Sequence, residues 1–425
     1  MANEENETLV PKLRFPAFRK TKGWRIATLA SVLTEERLTS DGKSEVHSVS
    51  LTKGVVPQIE HMGRSFSASD TSHYSLVRPF DVIYTKSPLA IFKLGIVKQH
   101  RGPHNAIVSP LYGVFTPVNR YVGQLIEAYF DSPSRSMNYL DPLCQKGAKN
   151  TIQISNNRFL SGEICLPSEP AEQQKIASFL TSLDELIAEQ SRKVDSLREH
   201  KRGLMQQLFP REGETQPRLR FPEFQNKGEW SEEKLTEIAK TTIGLVTTMT
   251  TSYASKGVPL IRNSDIKENT VRKGKLIYLL ESFADKHSNK KLIEGDIVTV
   301  HTGDIGVSAV IDRDLSGCLG FATLNTRLLN RDVSPEYLCW YFNSERYIRF
   351  ALSMATGDGR NNFNLSDFNL SVIPIPSKAE QQRIATCLSS LDALITAETQ
   401  KHEALKTHKK GLMQQLFPSL EEVEA

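Results

Sequence analysis

Two short runs carry residue types suited to gripping an anionic, hydrogen-bonding partner: Gly147-x-Lys149-Asn150 and Gly359-Arg360-Asn361-Asn362. Lys149 or Arg360 can hold a phosphate or a guanine edge, and Asn150, Asn361 or Asn362 can pair bidentately with adenine. The competing reading is a Gly/Asn turn with a solvated base beside it. Catalytic constellations are missing. There is no Gly-x-x-x-x-Gly-Lys-Ser/Thr phosphate loop, no His-Glu-x-x-His helix, no Cys/His ligand cluster and no Gly-x-Ser-x-Gly elbow. A base-flipping amino-methyltransferase would carry an Asn/Asp/Ser-Pro-Pro-aromatic loop. The nearest runs, Asp141-Pro142-Leu143-Cys144 and Ser87-Pro88-Leu89, lack the second proline and the aromatic ring. His301 and Asp304 have the types of an acid–base pair, but a hairpin tip of ordinary turn residues accounts for them better.

The elements that position these residues are announced by repetition. Gly203-Leu204-Met205-Gln206-Gln207-Leu208-Phe209-Pro210 recurs unchanged at Gly411 to Pro418, 208 residues later. Ala171-Glu172-Gln173-Gln174 with Ile176-Ala177 returns at the same shift as Ala379-Glu380-Gln381-Gln382 with Ile384-Ala385. Leu13-Arg14-Phe15-Pro16 with Phe18 and Trp24 returns 206 residues on as Leu219-Arg220-Phe221-Pro222 with Phe224 and Trp230. Between these islands the halves hardly agree, which predicts one scaffold presenting two different readers.

Each copy ends in a helical signal. Ile176, Leu180, Leu183, Ile187, Gln190, Val194, Leu197, Lys201, Leu204 and Leu208 follow steps of four and three. Ile384, Leu388, Leu391, Ile395, Glu398, His402, Leu405, Lys409, Leu412 and Leu416 keep the same register. This 3.5-residue period is that of a left-handed coiled coil. Pro170 opens the first helix, Ser377 with Glu380 has capping-box spacing, and Pro210 and Pro418 stop the two. Polar seam residues such as Lys201 and Lys409 either fix register or mark a partly solvated seam. Phe179, Leu186, Leu394 and Met205 widen the apolar stripe and are expected to bury against the globular parts.

The stretches before the helices read as mixed α and β. Asp81-Val82-Ile83-Tyr84 and Asp296 to Val300 predict strands, Val307 to Ile311 a return strand, and Leu125–Phe130 and Tyr337–Phe342 short helices. Tyr129-Phe130-Asp131-Ser132 is echoed by Tyr341-Phe342-Asn343-Ser344. The expected fold is α+β: two mixed modules joined by two long antiparallel coiled-coil helices, related by an internal pseudo-two-fold. The expected divisions are 1–167, helix 168–210, 211–376, helix 377–418 and an acidic tail 419–425. Residues 211–218 read as a linker.

At 425 residues the chain exceeds one ordinary domain. No apolar run approaches the roughly 20 residues that span a bilayer, and Met1 to Glu7 is acidic and polar, unlike a signal peptide. Cys144, Cys165, Cys318, Cys339 and Cys387 lack paired spacing, which fits a reducing cytosol. A net charge of +4 is compatible with many partners; a basic face is invisible in a total.

The doubled helix motif resembles that of the specificity subunits of type I restriction–modification enzymes, which characteristically reads Glu-Gln-Gln-x-Ile-Ala, Leu-Asp, then Gly-Leu-Met-Gln-Gln-Leu-Phe. Here it runs from Glu172 through Leu183-Asp184 to Phe209, and from Glu380 through Leu391-Asp392 to Phe417. The module opening Leu-Arg-Phe-Pro-x-Phe…Trp is also typical, and the resemblance covers nearly the whole chain. It implies a cytoplasmic, noncatalytic DNA-recognition subunit. Each module would be a target recognition domain reading half of a split, asymmetric site in double-stranded DNA, with the helices setting the spacer. Two methyltransferase subunits would dock and methylate adenine, and restriction subunits would join them. S-adenosylmethionine, ATP and Mg are expected on those partners, with no cofactor or metal held by this chain. The resemblance places DNA contacts on the hairpin tips, at Lys86, Ser87 and Lys93 in the first module and His301, Thr302 and Asp304 in the second. It also gives a DNA-facing role to the Gly-Lys/Arg-Asn loops. Arg262 and Arg327, beside predicted strands, are base readers or salt-bridged, the second being favoured. The alternatives are the specificity subunit of a type IIB enzyme, which has a combined nuclease–methyltransferase partner, and a coiled-coil scaffold that binds only protein.

Overall fold

The structure, a computed structural model, describes residues 8–64, 66–146, 152–355 and 361–418. The chain divides into two compact units. The first holds the chain up to Gln190 and the stretch from Lys401 onward; the second runs from Ser191 to Gln400. The two long helices, Pro170–Leu208 and Lys378–Leu416, each have 39 residues and each give one part to either unit. At ~1.5 Å per residue each is about 58 Å long.

The first unit is organised around a hairpin. Val82–Thr85 and Ile96–Gln99 pair antiparallel within a four-stranded sheet that also holds Leu33–Thr34 and Gly113–Pro117. Both hairpin strands are buried throughout, so they read as continuous rather than alternating runs. Asp81 starts the hairpin: its carboxylate accepts from the Arg78 N–H and its carbonyl from the His100 N–H, both at 2.8 Å. A second sheet holds Gly54–Pro57, Glu45–Ser50, Ala106–Val108 and Ser75–Val77, with one parallel pair, Glu45–Ser50 beside Ala106–Val108. Trp24–Thr28 pairs with Glu163–Pro167, the strand that leads into the long helix.

The second unit repeats this plan. Ile297–Val300 and Ser308–Val310 form its hairpin, in a sheet with Thr323–Leu328 and Ala239–Ile243. Asp296 repeats the starting turn, accepting from the Ile293 and Ile311 N–H groups at 2.8 and 2.7 Å. A second sheet again carries one parallel pair, Val258–Arg262 beside Leu319–Phe321. Ser231–Lys234 pairs with Val372–Ile375, the strand before the second long helix.

The echoed Tyr-Phe-Asp/Asn-Ser runs are helix corners. Arg120–Phe130 is followed by Pro133–Leu140, capped by Ser132, and Pro335–Phe342 by Glu345–Met354, capped by Ser344. Asp131 accepts from Lys98 at 2.6 Å, and Asn343 bonds the Ser308 N–H and C=O at 3.0 and 2.9 Å. Both corners are thereby tied to the return strand of their hairpin.

In each unit the helix segments run antiparallel. In the second, Lys193 meets Glu398 at 2.6 Å and Lys201 meets Asp392 at 2.7 Å, so one helix ascends as the other descends. In the first, Lys409 meets Asp184, and Met413 and Leu416 share a core with Ile176 and Leu180. Ile176, Leu180, Leu183, Leu208, Ile384, Leu388, Ile395 and Leu416 are buried. Ile187, Leu197, Leu204, Leu391, Leu405 and Leu412 are half-buried.

Three expectations change. Leu186 and Leu394 do not bury against the globular parts; they are 45% and 43% exposed, because they lie on the outer edge of the stripe where no sheet or helix reaches. Met205 is buried, and Phe179, half-buried, packs edge-on to Phe15. The capping box at Ser377 is only half formed: Ser377 Oγ accepts from the Glu380 N–H at 3.4 Å, but the Glu380 carboxylate is engaged by Arg220. Among the described residues no helix is long and apolar enough to cross a membrane.

Candidate nucleic-acid interface

The two modules differ where their shared hairpins turn. In the first unit residues 86–95 connect the strands; in the second, residues 301–307 do. Lys86, Ser87 and Lys93 are exposed on the first tip, with the apolar side chains of Leu89 and Ile91 exposed beside them. Burial lowers the Lys86 ammonium from its ordinary value, opposed by the Glu35 charge. Gly95 closes this tip at φ +99°, and a Cβ there would collide with the Thr85 carbonyl, so only glycine fits.

The second tip is tied to a distant loop. Thr302 Oγ1 donates to Asn362 Oδ1 at 2.6 Å, the Phe363 N–H donates to the His301 carbonyl at 3.0 Å, and the His301 ring nitrogen Nδ1 lies 2.7 Å from the Phe363 carbonyl. The His301 N–H in turn donates to Asn263 Oδ1 at 3.2 Å. His301, Thr302 and Asn362 are thus brought together by the fold, and Asn361 is exposed beside them. Lys149, Asn150, Arg360 and the acidic stretch 419–425 lie outside the described residues. Asp304 does not face His301 as an acid–base partner; its carboxylate accepts from Lys267 at 2.9 Å. Lys267 itself was not singled out by the sequence. A lone lysine ending a two-residue strand carries no motif, and only the fold sets it at the tip.

Arg262 and Arg327 are salt-bridged, the alternative favoured from the sequence. Arg262 makes a bidentate pair with Asp265, at 2.8 Å to each oxygen, and Arg327 one with Asp296, at 2.9 and 2.5 Å. Both guanidiniums are held above their ordinary value, first by these hydrogen bonds. Among the described residues no group of three or more His, Cys, Asp or Glu side chains is placed to hold a metal ion.

The repeated islands are structural. Arg14 donates from Nε and Nη2 to Glu172 at 2.8 and 2.7 Å, and Arg220 to Glu380 at 2.7 and 2.8 Å. Gln173 donates to the Pro167 carbonyl and Gln381 to the Pro376 carbonyl, both at 2.9 Å, fixing where strand becomes helix. The Leu13 N–H caps the Gln415 carbonyl at 3.0 Å, and the Leu219 N–H caps the Gln207 carbonyl at 2.9 Å. A scaffold whose Arg–Glu and Gln–carbonyl anchors recur in both units, carrying unlike tips, is the geometry that the comparisons address. Residues 227–407 match the family model of the type I restriction modification DNA specificity domain.

Over that stretch the chain is similar to a specificity domain.

Among its relatives, the type I restriction enzyme MjaVIII specificity subunit of Methanocaldococcus jannaschii is 23% identical over 261 residues, 60% of this chain. The chain spans about three-fifths (61%) of the length of that relative. The crystal structure of a type I restriction–modification system S subunit from M. genitalium superposes with a TM-score of 0.55 at 13% identity, covering 97% of this chain and 100% of that one. A structure from work on complex assembly and conformational transition of the type I R-M system gives 0.55 at 19% identity, covering 92% and 96%. These two likenesses establish the fold. Within that fold the duplicated anchors recur in both units, and the hairpin tips at 86–95 and 301–307 differ between them.

Proposed function

We propose that this chain is the cytoplasmic DNA-recognition subunit of a type I restriction–modification complex and performs no chemistry itself. Each module reads one half of a bipartite, asymmetric site in double-stranded DNA. The paired helices set the nonspecific spacer, in keeping with the rule that module separation sets half-site separation. Two methyltransferase subunits dock on the helices and flanking surfaces and methylate adenine at N6, and restriction subunits act through them. S-adenosylmethionine, ATP and Mg reside on those partners. The modules correspond to residues 1–167 and 211–376, with 168–210 and 377–418 as spacer helices.

The observation that carries this reading is the combination of identical anchors with unlike tips. Arg14–Glu172 and Arg220–Glu380 are built alike, whereas the tips they support share neither length nor composition. A scaffold for one protein partner would have no need of two different readers. Lys86, Ser87, Lys93, Lys149 and Asn150 in the first module, and His301, Thr302, Arg360, Asn361 and Asn362 in the second, are the proposed DNA-facing residues.

The test is a genome-wide N6-methyladenine map of cells carrying the chain with its neighbouring methyltransferase, set against cells lacking only the chain. A split, asymmetric motif that disappears with the chain is the expected result. Exchanging residues 1–167 for another module should then change one half-motif only. An unchanged methylome, with the complex shown to assemble, would overturn the proposal.

A further inference from the structure

The second tip holds a histidine whose hydrogen-bonding character is already decided. A carbonyl oxygen can only accept, so the 2.7 Å contact between His301 Nδ1 and the Phe363 carbonyl requires the proton on Nδ1. The neutral ring then has one nitrogen left, Nε2, and that nitrogen can only accept. No other described group holds it. The ring is fixed as well as polarised. The backbone is pinned by the Asn263 side chain at 3.2 Å and by the Phe363 N–H at 3.0 Å, and Phe363 is itself fully buried. Thr302 and Asn362 close the same junction one residue further out. The tip therefore presents an acceptor that cannot turn over, on a half-exposed side chain.

Resting on the DNA-recognition reading above, we propose that His301 is a base-reading residue whose Nε2 accepts a hydrogen bond from an exocyclic amino group in the major groove, that of adenine or cytosine. In that groove only these two bases offer a donor; guanine and thymine show acceptors at the equivalent position. Facing guanine O6 or thymine O4, Nε2 would set lone pair against lone pair. A freely rotating histidine could exchange tautomers to suit either class. The neutral His301 ring cannot without losing its bond to Phe363, and that loss is the source of the discrimination. Asp304 does not alter this, because its carboxylate is turned to Lys267.

The wild-type complex decides the matter without any substitution. In duplexes carrying its own motif, the base at one position of the half-motif directed by residues 211–376 is replaced by an analogue lacking the major-groove amino group: 2-aminopurine, whose amino group sits in the minor groove, for adenine, and 2-pyrimidinone for cytosine. Affinity should fall roughly fivefold to tenfold at one such position, the scale of a single net hydrogen bond. Which analogue is felt separates adenine from cytosine. His301→Asn then identifies the residue. Its side-chain N–H can replace Nδ1–H at the Phe363 carbonyl, while nothing remains where Nε2 was. That variant should bind the natural and analogue duplexes equally, and its methylation map should relax at that base alone. His301→Gln, which restores an acceptor further out, should recover part of the preference. No loss with any analogue, or an undiminished preference in His301→Asn, overturns the proposal. Should the wild-type chain direct no bipartite motif at all, the recognition reading itself fails, which is a separate outcome.

Discussion

Arg14 and Glu172 lie 158 residues apart in sequence yet form a two-bonded ion pair in which neither side chain is open to solvent. The Trp24 indole N–H also donates to that carboxylate, at 3.3 Å, and Arg14 reaches the Thr21 and Lys22 carbonyls at 3.2 and 2.7 Å. The hydrogen bonds to Glu172 hold the guanidinium above its ordinary value, outweighing burial. Arg14→Ala would leave a buried carboxylate without its counter-charge. The expected cost is about 3–5 kcal/mol, seen as a lowered melting transition of the first unit. Arg220→Ala should do the same to the second. If either substitution is silent by calorimetry, the pair is not the anchor that its geometry implies.

Lys201 should tie the short Ile266–Val271 hairpin to the helix. Its ammonium lies 2.7 Å from Asp392, 2.8 Å from Glu268 in the turn between Ile266–Lys267 and Thr270–Val271, and 5.0 Å from the Trp340 ring centre. A double-mutant cycle of Lys201→Met with Glu268→Gln is expected to give a coupling of roughly 0.5–1 kcal/mol, since Glu268 is half-exposed. Burial pulls the Lys201 ammonium down, but the hydrogen bonds to Asp392 and Glu268 leave it raised overall. A raised lysine contributes stability that is intact below the unfolded value, near 10.4, and fades as pH climbs through the folded one. The coupling should therefore hold through neutral pH and weaken only in the alkaline range. A coupling near zero at pH 7 would mean that the turn is held by other contacts.

The thiols should fall into two groups. Cys165 and Cys318 are buried, and burial pushes each up to about 12. Cys339 is buried and raised by the same cause. Cys144 and Cys387 are half-buried. Because the thiolate is the reactive form, Ellman's reagent at pH 8 should titrate at most two of the five cysteines in the folded chain and all five in denaturant. Rapid reaction of a third thiol under native conditions would contradict the packing around Cys165, Cys318 and Cys339.

Phe417 closes the second long helix but belongs to the core of the first unit. It packs edge-on to Trp24 at 5.8 Å and to Tyr129 at 6.1 Å, with the Arg135 guanidinium 5.0 Å from its ring. Phe209 is placed likewise among Tyr337 and Tyr341 in the second unit. Phe417→Ala should cost about 3–5 kcal/mol and be felt by the first unit only, which hydrogen exchange can localise. A loss spread evenly over both units would refute that assignment.

Much of this was legible beforehand, and what was not has a physical reason. The long helices announce themselves because one buried stripe demands a repeating apolar position, and Ile176 to Leu208 supply it. The hairpins are visible because Val82–Thr85 and Ile297–Val300 are buried on both faces. Glu45–Ser50 was invisible: its mixed residues, Glu-Val-His-Ser-Val-Ser, are held between two neighbours, the antiparallel Gly54–Pro57 and the parallel Ala106–Val108, rather than by their own pattern. The outer position of Leu186 and Leu394 depends on where each module ends, which no helical period encodes. At the candidate site the residue types were readable singly. That Thr302 would meet Asn362, and His301 the Phe363 carbonyl, is a matter of topology and register.

The crossing of the helix ends has a consequence for how the protein is made. The second unit is one continuous stretch, Ser191–Gln400, and can assemble as soon as that stretch has left the ribosome. The first unit, although most of it is synthesised earlier, lacks Met413, Leu416 and Phe417 until those residues follow the second unit. The unit begun first is thus the one completed last. Until residues 413–417 arrive, the apolar faces of Trp24 and Ile176 that they cover stay open, and in that interval the nascent chain has surface for a chaperone to hold.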